Sequence, residues 1–263
     1  MDCRGRVLAA SSQIQTVFVE PRILPDVKDT SSELGEILNM PAHLICKTIT
    51  ESNNPGFVKI FVPTGNSNTW ANHASYTEKT ITATGGETDD QFGVSVSLNS
   101  VGDVLAVGAW QEDSNTISDT SNNGATDSGA AYVFVTSDSW ATAPTETYVK
   151  ATSPVADDNF GTSVALNGSG NTLSVGAPFA ASTGTAYRIV NNGTWAGGIA
   201  SEQAITPPSG NYGDQFGFSV SLSATAGSLA IGDKGEDSAA TGINGDKSDN
   251  TKPDSGAAFV YAL

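Results

Sequence analysis

The chain has 263 residues, of which 28 are acidic and 12 are lysine or arginine, so its formal net charge is −16 at pH 7. A field of this sign repels nucleic acid and anionic membrane surfaces, and we expect neither as a partner. The 38% of hydrophobic residues and the 28 glycines are typical of a turn-rich all-β fold rather than of disorder. No apolar run approaches the roughly 20 residues of a membrane span, so we expect no membrane insertion.

Residues 1–53 show none of the periodicity found later in the chain. The stretch 15–20 has the composition of a strand, and the capping box Thr30-Ser-Ser-Glu33 predicts a short helix that ends at Met40. We interpret residues 1–53 as a leader of uncertain order that contains this helix. The alternative is a degenerate repeat unit whose first two strands have lost their marker residues.

Both cysteines, Cys3 and Cys46, lie in this leader. A disulfide between them and two free thiols are equally compatible with the sequence. The first ten residues contain too short an apolar stretch for a signal peptide. For an exported protein, we therefore expect the export signal to be missing from this chain and the chain to be truncated at its N-terminus.

Residues 54–84 contain two segments with strand character, 54–62 and 76–82, separated by Trp70. They match the third and fourth strands of the repeated units that follow along the chain. The match predicts half of a repeated unit at this position.

Three copies of one spaced pattern organise the rest of the chain. A Phe-Gly pair precedes a second glycine, and the Phe lies 16 positions before that glycine each time (92 to 108, 160 to 176, 216 to 232). A period shared by three segments indicates repeated supersecondary units. The anchor residues of the pattern are Phe92, Gly93, Gly108, Phe160, Gly161, Gly176, Phe216, Gly217 and Gly232.

Each copy begins with an alternating strand, a turn rich in Gly, Asn or Ser, and a second strand, which predicts an antiparallel hairpin. In the first copy these are residues 93–98, 99–103 and 104–107. A third strand follows a loop of variable length, and a Trp and a fourth strand come next in the first two copies. The fourth strand is predicted at 148–151 in the first copy and, shorter and weaker, at 203–206 in the second.

Four antiparallel strands per unit are typical of a β-propeller blade. The repeats resemble the FG-GAP repeats of integrin α-subunit propellers and their bacterial relatives, with Phe160-Gly161 and Gly176-Ala177-Pro178 giving the motif literally. The acidic pairs Asp89-Asp90 and Asp157-Asp158 look most like the bacterial branch. The resemblance implies an extracellular or cell-surface setting.

We therefore expect an all-β fold, a partial β-propeller of four-stranded antiparallel blades with two full blades and two incomplete ones. The predicted units are a half blade at 54–84, full blades at 89–151 and 157–206, and a three-stranded blade at 214–263. Complete propellers have about four to eight blades, so this is about half a ring. Residues 76–82 could complete the last blade as a clasp, but we favour an incomplete, curved array with exposed edges that further blades or self-association would cover.

Integrin-type blades hold calcium in an acidic loop between their first two strands, and here those hairpins carry at most one carboxylate each. Calcium needs six to eight oxygen ligands, so the family site is absent from these positions. A second acidic concentration lies in the long loops between second and third strands. We expect any calcium to be held there, with the alternative that these loops are solvated acidic turns; the candidate ligands are Asp246, Asp249 and Asp254 in one loop and Glu112, Asp113 and Asp127 in the other.

The acidic residues just before each Phe-Gly recur in every copy, which favours a structural capping role over catalysis. The anchor Phe residues are likewise interpreted as packing between blades, and the second glycines as places where backbones approach closely. Trp70, Trp140 and Trp195 recur at one register, which favours packing over sugar stacking.

Enzymatic signatures are missing from the sequence. The two histidines, His43 and His73, lie outside the full blades, so no Ser-His-Asp or Cys-His set is indicated. We expect a non-enzymatic extracellular binding or adhesion module for a protein or glycan ligand at a cell surface. The alternative is an accessory propeller domain of a larger exported hydrolase or lyase, with catalysis outside this chain.

Overall fold

The computed structural model describes residues 57–63, 76–208, 211–246 and 248–263. The predictions for residues 1–53, for both histidines and for Trp70 lie outside the described residues.

The regular elements of the described residues are strands, together with one 3-10 turn at Ala180–Ser182. The strands are β1 Val58–Pro63, β2 Tyr76–Ile81, β3 Phe92–Leu98, β4 Val104–Ala109, β5 Ala130–Val135, β6 Thr145–Val149, β7 Ser163–Leu166, β8 Thr172–Ala177, β9 Thr185–Asn192, β10 Thr194–Ile205, β11 Phe216–Leu222, β12 Ser228–Asp233 and β13 Ala257–Ala262. No helix in the described part of the chain is long and apolar enough to cross a membrane.

The strands pair in four antiparallel sheets, which we call blades 1 to 4. Blade 1 is β1-β2, blade 2 is β3-β4-β5-β6, blade 3 is β7-β8-β9-β10 and blade 4 is β11-β12-β13. For the residues that the structure describes, the prediction of an all-β partial propeller with two full and two incomplete blades is thereby confirmed.

The fourth strand of blade 3 differs from its prediction as a short, weak strand. β10 is 12 residues long and begins at Thr194. Its register against β9 shifts between Thr194 and Ile199 and again before Ser201. The Gly197-Gly198 pair in this irregular part interrupts the alternation of side chains, which hides the strand from a periodicity search.

The described residues show no clasp between the two ends of the array. β2 pairs with β1, and β13 pairs with β12 alone. The fourth-strand position of blade 4 is therefore unfilled among the described residues.

Hydrophobic cores lie between successive blades. Strand alternation directs Leu105 and Val107 toward blade 1, whereas Val104 and Ala106 face blade 3. A third core joins Ile205 of blade 3 to Leu229 and Ile231 of blade 4. Each full blade therefore buries both of its faces, as a stacked repeat requires.

The array has two rims. Because successive strands run in opposite directions, their connections lie alternately at the two ends of each blade. The turn rim carries the hairpin turns 99–103, 167–171 and 223–227. The loop rim carries the connections between second and third strands and those between blades. Parallel bridges from Gly129 to Phe160 and from Gly184 to Phe216 keep the blades in register.

Candidate functional site

The anchor Phe residues lie between blades. Phe92, Phe160 and Phe216 are all buried, and the Phe160 ring lies 5.3 Å from the ring of Tyr187. The amide of Phe160 donates to the carbonyl of Ser128 in the preceding blade at 3.0 Å. Each Phe-Gly therefore joins its own blade to the one before it.

The second glycines mark the closest approach of two backbones. A Cβ on Gly108 would overlap the carbonyl oxygen of Gly161, and one on Gly176 would overlap that of Gly217. Serine hydroxyls donate to the same two carbonyls, since Ser95 Oγ lies 2.7 Å from Gly161 O and Ser163 Oγ lies 2.9 Å from Gly217 O. Only glycine leaves room for this contact.

The corresponding glycine of blade 4 faces no further blade among the described residues. Gly232 instead lines an open cavity with Phe218, Ser219 and Gly256. The nearest atom to a Cβ at Gly232 belongs to Ser219 of the same blade. Blade 4 thus has the glycine that blades 2 and 3 place against the next blade, but among the described residues no next blade contacts it.

The acidic residues before Phe92 and Phe216 bind backbone amides. Asp90 Oδ2 accepts from the Glu87 amide at 2.7 Å, and Asp214 Oδ2 accepts from the Asn211 amide at 2.6 Å. Burial nevertheless raises the pKa of Asp90 to about 6. These contacts shape the entry into the first strand of each blade.

The turn rim is held by side chains of its own hairpins. Asn99 Oδ1 accepts from three amides of its turn, including that of Gly102 at 2.9 Å. Trp140 Nε1 donates to the carbonyl of Gly102 at 2.9 Å, and Trp195 Nε1 donates to that of Gly170 at 2.7 Å. Both tryptophans are buried, Trp140 in the core between blades 1 and 2 and Trp195 in the core between blades 2 and 3.

Blade 2 contains a buried ion pair that the sequence did not indicate. Lys150 Nζ pairs with Glu112 Oε2 and also donates to the carbonyl of Gly129 at 2.9 Å. Burial lowers the pKa of Lys150, while Glu112 opposes that shift. The available signal was a lysine inside the predicted fourth strand 148–151. Its partner depends on a register that spans 38 residues.

The predicted calcium ligands mostly bind groups of their own loops. Asp246 Oδ1 accepts from Ser248 Oγ at 2.7 Å, which lowers the pKa of Asp246, and Asp249 Oδ1 accepts from the Thr251 amide at 3.0 Å. Asp113 Oδ1 accepts from the amide of Asp127 at 2.7 Å. Asp254 occupies the corresponding place in blade 4, where its amide donates to Asp237 Oδ1 at 2.8 Å.

In the described part of the chain, no group of three or more His, Cys, Asp or Glu side chains is placed to hold a metal ion. The structure therefore does not gather either predicted ligand set. Calcium binding in these loops stays a prediction, because an ion would have to draw the carboxylates together.

Exposed apolar side chains concentrate on the loop rim. Ile117 and Val155 are 58% exposed, Tyr212 89% and Ile243 94%, and Phe179 is exposed as well. All five lie in connections that the topology places at this one end of the blades. Loops at one end of a rigid scaffold commonly carry binding residues.

Comparison with known families identifies the repeat. Residues 76–134, which include Phe92-Gly93 and Gly108, match the family model of the FG-GAP repeat. The matched segment contains β2, β3, β4 and most of β5. The spacing of its anchors extends the FG-GAP pattern to blades 3 and 4, where Phe160 and Phe216 occupy the same place.

No curated protein matches the chain. Among 45 matching chains of solved structures is hydrazine synthase of Kuenenia stuttgartiensis, with 12% sequence identity and a TM-score of 0.35. That match covers 66% of this chain and 52% of the hydrazine synthase chain, so it spans about half the length of that protein.

Proposed function

We propose that this chain is a non-enzymatic binding or adhesion module that acts in an extracellular setting or at a cell surface. The observation that carries the proposal is the loop rim, where exposed apolar side chains project from acidic loops. The residues that recur in every blade bind neighbouring backbone or pack between blades, so they support the array and leave the variable loops for recognition.

The two longest loops supply the best candidates for contact residues. Ile117 lies in the β4–β5 connection of blade 2, and Ile243 lies in the β12–β13 connection of blade 4. Each loop is held by internal hydrogen bonds, such as Ser114 Oγ to Asp119 O at 2.7 Å and Ser238 Oγ to Asp246 O at 2.7 Å. Because each loop is already ordered by these bonds, binding through its exposed side chain costs little backbone entropy.

The ligand class that fits is a protein or glycan surface with apolar and basic character. The net charge of −16 favours a basic partner through long-range attraction. The apolar tips would supply the desolvated contacts that dominate affinity at such interfaces.

The test measures binding of the bead-coupled chain to panels of immobilised extracellular proteins and glycans. We expect saturable binding to at least one member, and about a tenfold loss when Ile117→Ser and Ile243→Ser are combined. Val101→Ser is the matched control, because Val101 is 59% exposed but lies on the turn rim. An equal loss in the control, binding to no member of the panels, or turnover of a glycoside or peptide by the purified chain would refute the proposal.

A further inference from the structure

The chain contains four Asn-Gly pairs, and three of them lie in blades 2 and 3, which have a blade on either side. In this sequence the side-chain amide is open to attack by the next backbone nitrogen, because glycine has no Cβ to hinder the approach. The three pairs share this chemistry and differ in how the fold holds them. They are Asn123-Gly124 in the β4–β5 connection, Asn167-Gly168 in the β7–β8 turn and Asn192-Gly193 between β9 and β10.

The pair in the β7–β8 turn is fixed at both of the groups that would react. Asn167 is buried, its Oδ1 accepts from the Thr172 amide at 3.0 Å, and its Nδ2 donates to Asn171 Oδ1 at 2.9 Å. The Gly168 amide donates to the carbonyl of Ala224 in blade 4 at 2.8 Å. The side chain and the glycine nitrogen can meet only after these bonds break.

The pair in the β4–β5 connection is exposed but is also bonded at both groups. Asn123 Nδ2 donates to Glu87 Oε2 at 2.8 Å. The Gly124 amide donates to Asn122 Oδ1 at 3.0 Å. Exposure alone therefore does not distinguish the three pairs, and the hydrogen bonds have to be compared.

The pair between β9 and β10 is exposed and unbonded. Among the described residues, neither the side-chain amide of Asn192 nor the backbone amide of Gly193 has a hydrogen-bond partner. A Cβ built on Gly193 would meet nothing within 4 Å. The register of β10 against β9 is irregular from Thr194 to Ile199, so the hairpin end is not held by a regular ladder.

We propose that Asn192 is a site of spontaneous covalent modification, where asparagine is converted to isoaspartate and aspartate in the folded chain. The Gly193 nitrogen attacks Asn192 Cγ and gives up its proton to water. The Cγ–Nδ2 bond then breaks, and the nitrogen takes up a proton and leaves as ammonia, so a succinimide ring remains. Water adds to either carbonyl of that ring and opens it, and no other reactant is consumed.

The modification adds a carboxylate to the turn rim. The β9–β10 connection lies at this end of blade 3, because Trp195 Nε1 donates to the carbonyl of Gly170 in the β7–β8 turn. Isoaspartate also adds one carbon to the main chain, which the irregular register up to Ile199 can absorb. The inference goes beyond the proposed binding function, which involves the loop rim at the opposite end of the blades.

The test incubates the full chain at pH 8 in heavy-oxygen water and maps its peptides at intervals. The label enters the carboxyl group that forms when the ring opens, and chromatography separates isoaspartate peptides from aspartate peptides. We expect conversion at Asn192 to be about tenfold faster, or more, than at Asn123 and Asn167, because those pairs must first break their hydrogen bonds. Conversion at Asn192 that is no faster than at the other two would overturn the proposal.

The same measurement in urea separates the effect of the fold from that of the local sequence. Once the chain is unfolded, the three pairs lose their different surroundings, and we expect their rates to become similar. If Asn192 kept its full advantage in urea, its neighbours in the sequence would set the order, and the structural inference would be wrong.

A variant that frees a bonded pair tests the cause directly. Glu87→Ala combined with Asn122→Ala removes both partners of the Asn123-Gly124 pair, and Glu87 is exposed. We expect conversion at Asn123 to rise severalfold toward the rate of Asn192. The rate at Asn192 in the same variant is the internal control and is expected to stay unchanged. An unchanged rate at Asn123 would contradict the role assigned to the hydrogen bonds.

Discussion

Asp233 carries a free-energy cost that its counterparts in the other blades do not have. An unpaired carboxylate in a buried site favours its protonated form, because burial penalises the charge. The same position holds Ala109 and Ala177 in blades 2 and 3. Asp233 therefore destabilises the fold whenever its carboxylate is charged.

This cost predicts a pH dependence of stability. The pKa of Asp233 rises from 3.8 to about 7 on folding, so its contribution is most favourable below about pH 4 and is lost as the pH rises through 7. We expect Asp233→Ala to be more stable than the wild type at pH 8, by on the order of 2 kcal/mol after solvent screening, with the difference shrinking toward pH 5. Urea unfolding at both pH values measures it, and a difference independent of pH would contradict the assignment.

Replacing an anchor phenylalanine is expected to destabilise the chain, whereas replacing Asp233 is expected to stabilise it. Phe160 is buried in the core between blades 2 and 3, so Phe160→Ala leaves a cavity and is expected to cost about 3 to 5 kcal/mol. Phe179→Ala is the control, because Phe179 is exposed on the loop rim. Thermal and urea unfolding compare the two, and equal midpoints for Phe160→Ala and the wild type would show that the anchor does not support the interface.

At the scale of the element, the blades were predictable because their signal is local and repeated. The 16-residue interval from Phe92 to Gly108 contains one hairpin and depends only on strand length and turn type. The length of β10 was not predictable, because Gly197-Gly198 breaks its alternation. The ion pair of Lys150 with Glu112 and the burial of Asp233 depend on strand registers, which the sequence does not encode locally.

The acidic loops carry the prediction of calcium binding. Millimolar calcium is expected to raise the melting temperature, and the combined substitution of Asp246 and Asp249 by alanine to diminish that rise, because these carboxylates would supply the ligands. When a chelator removes calcium, the melting temperature of the same variant changes only through the lost hydrogen bonds to Ser248 and Thr251. Asp138→Ala is the control, since Asp138 caps a turn outside both loops. A melt that calcium leaves unmoved would identify the loops as solvated turns.

At the scale of the molecule, the array is asymmetric. Blades 2 and 3 are covered on both faces, whereas the outer face of blade 4 is uncovered among the described residues. Val133 of blade 2 is buried, but its counterpart Val260 is 75% exposed. Together with the open edge of β13 and the cavity at Gly232, this leaves one blade with the features of an interface on both its face and its edge.

We therefore expect the purified chain to be marginally stable or to self-associate through blade 4. Sedimentation velocity at several concentrations should show a rising average mass, and Val260→Lys should reduce it because a charge on an exposed β face opposes pairing. Val101→Lys is the control, since Val101 is exposed on the turn rim. A compact monomer with a high melting temperature at every concentration would contradict the prediction and would mean that the outer face of blade 4 is covered within one molecule.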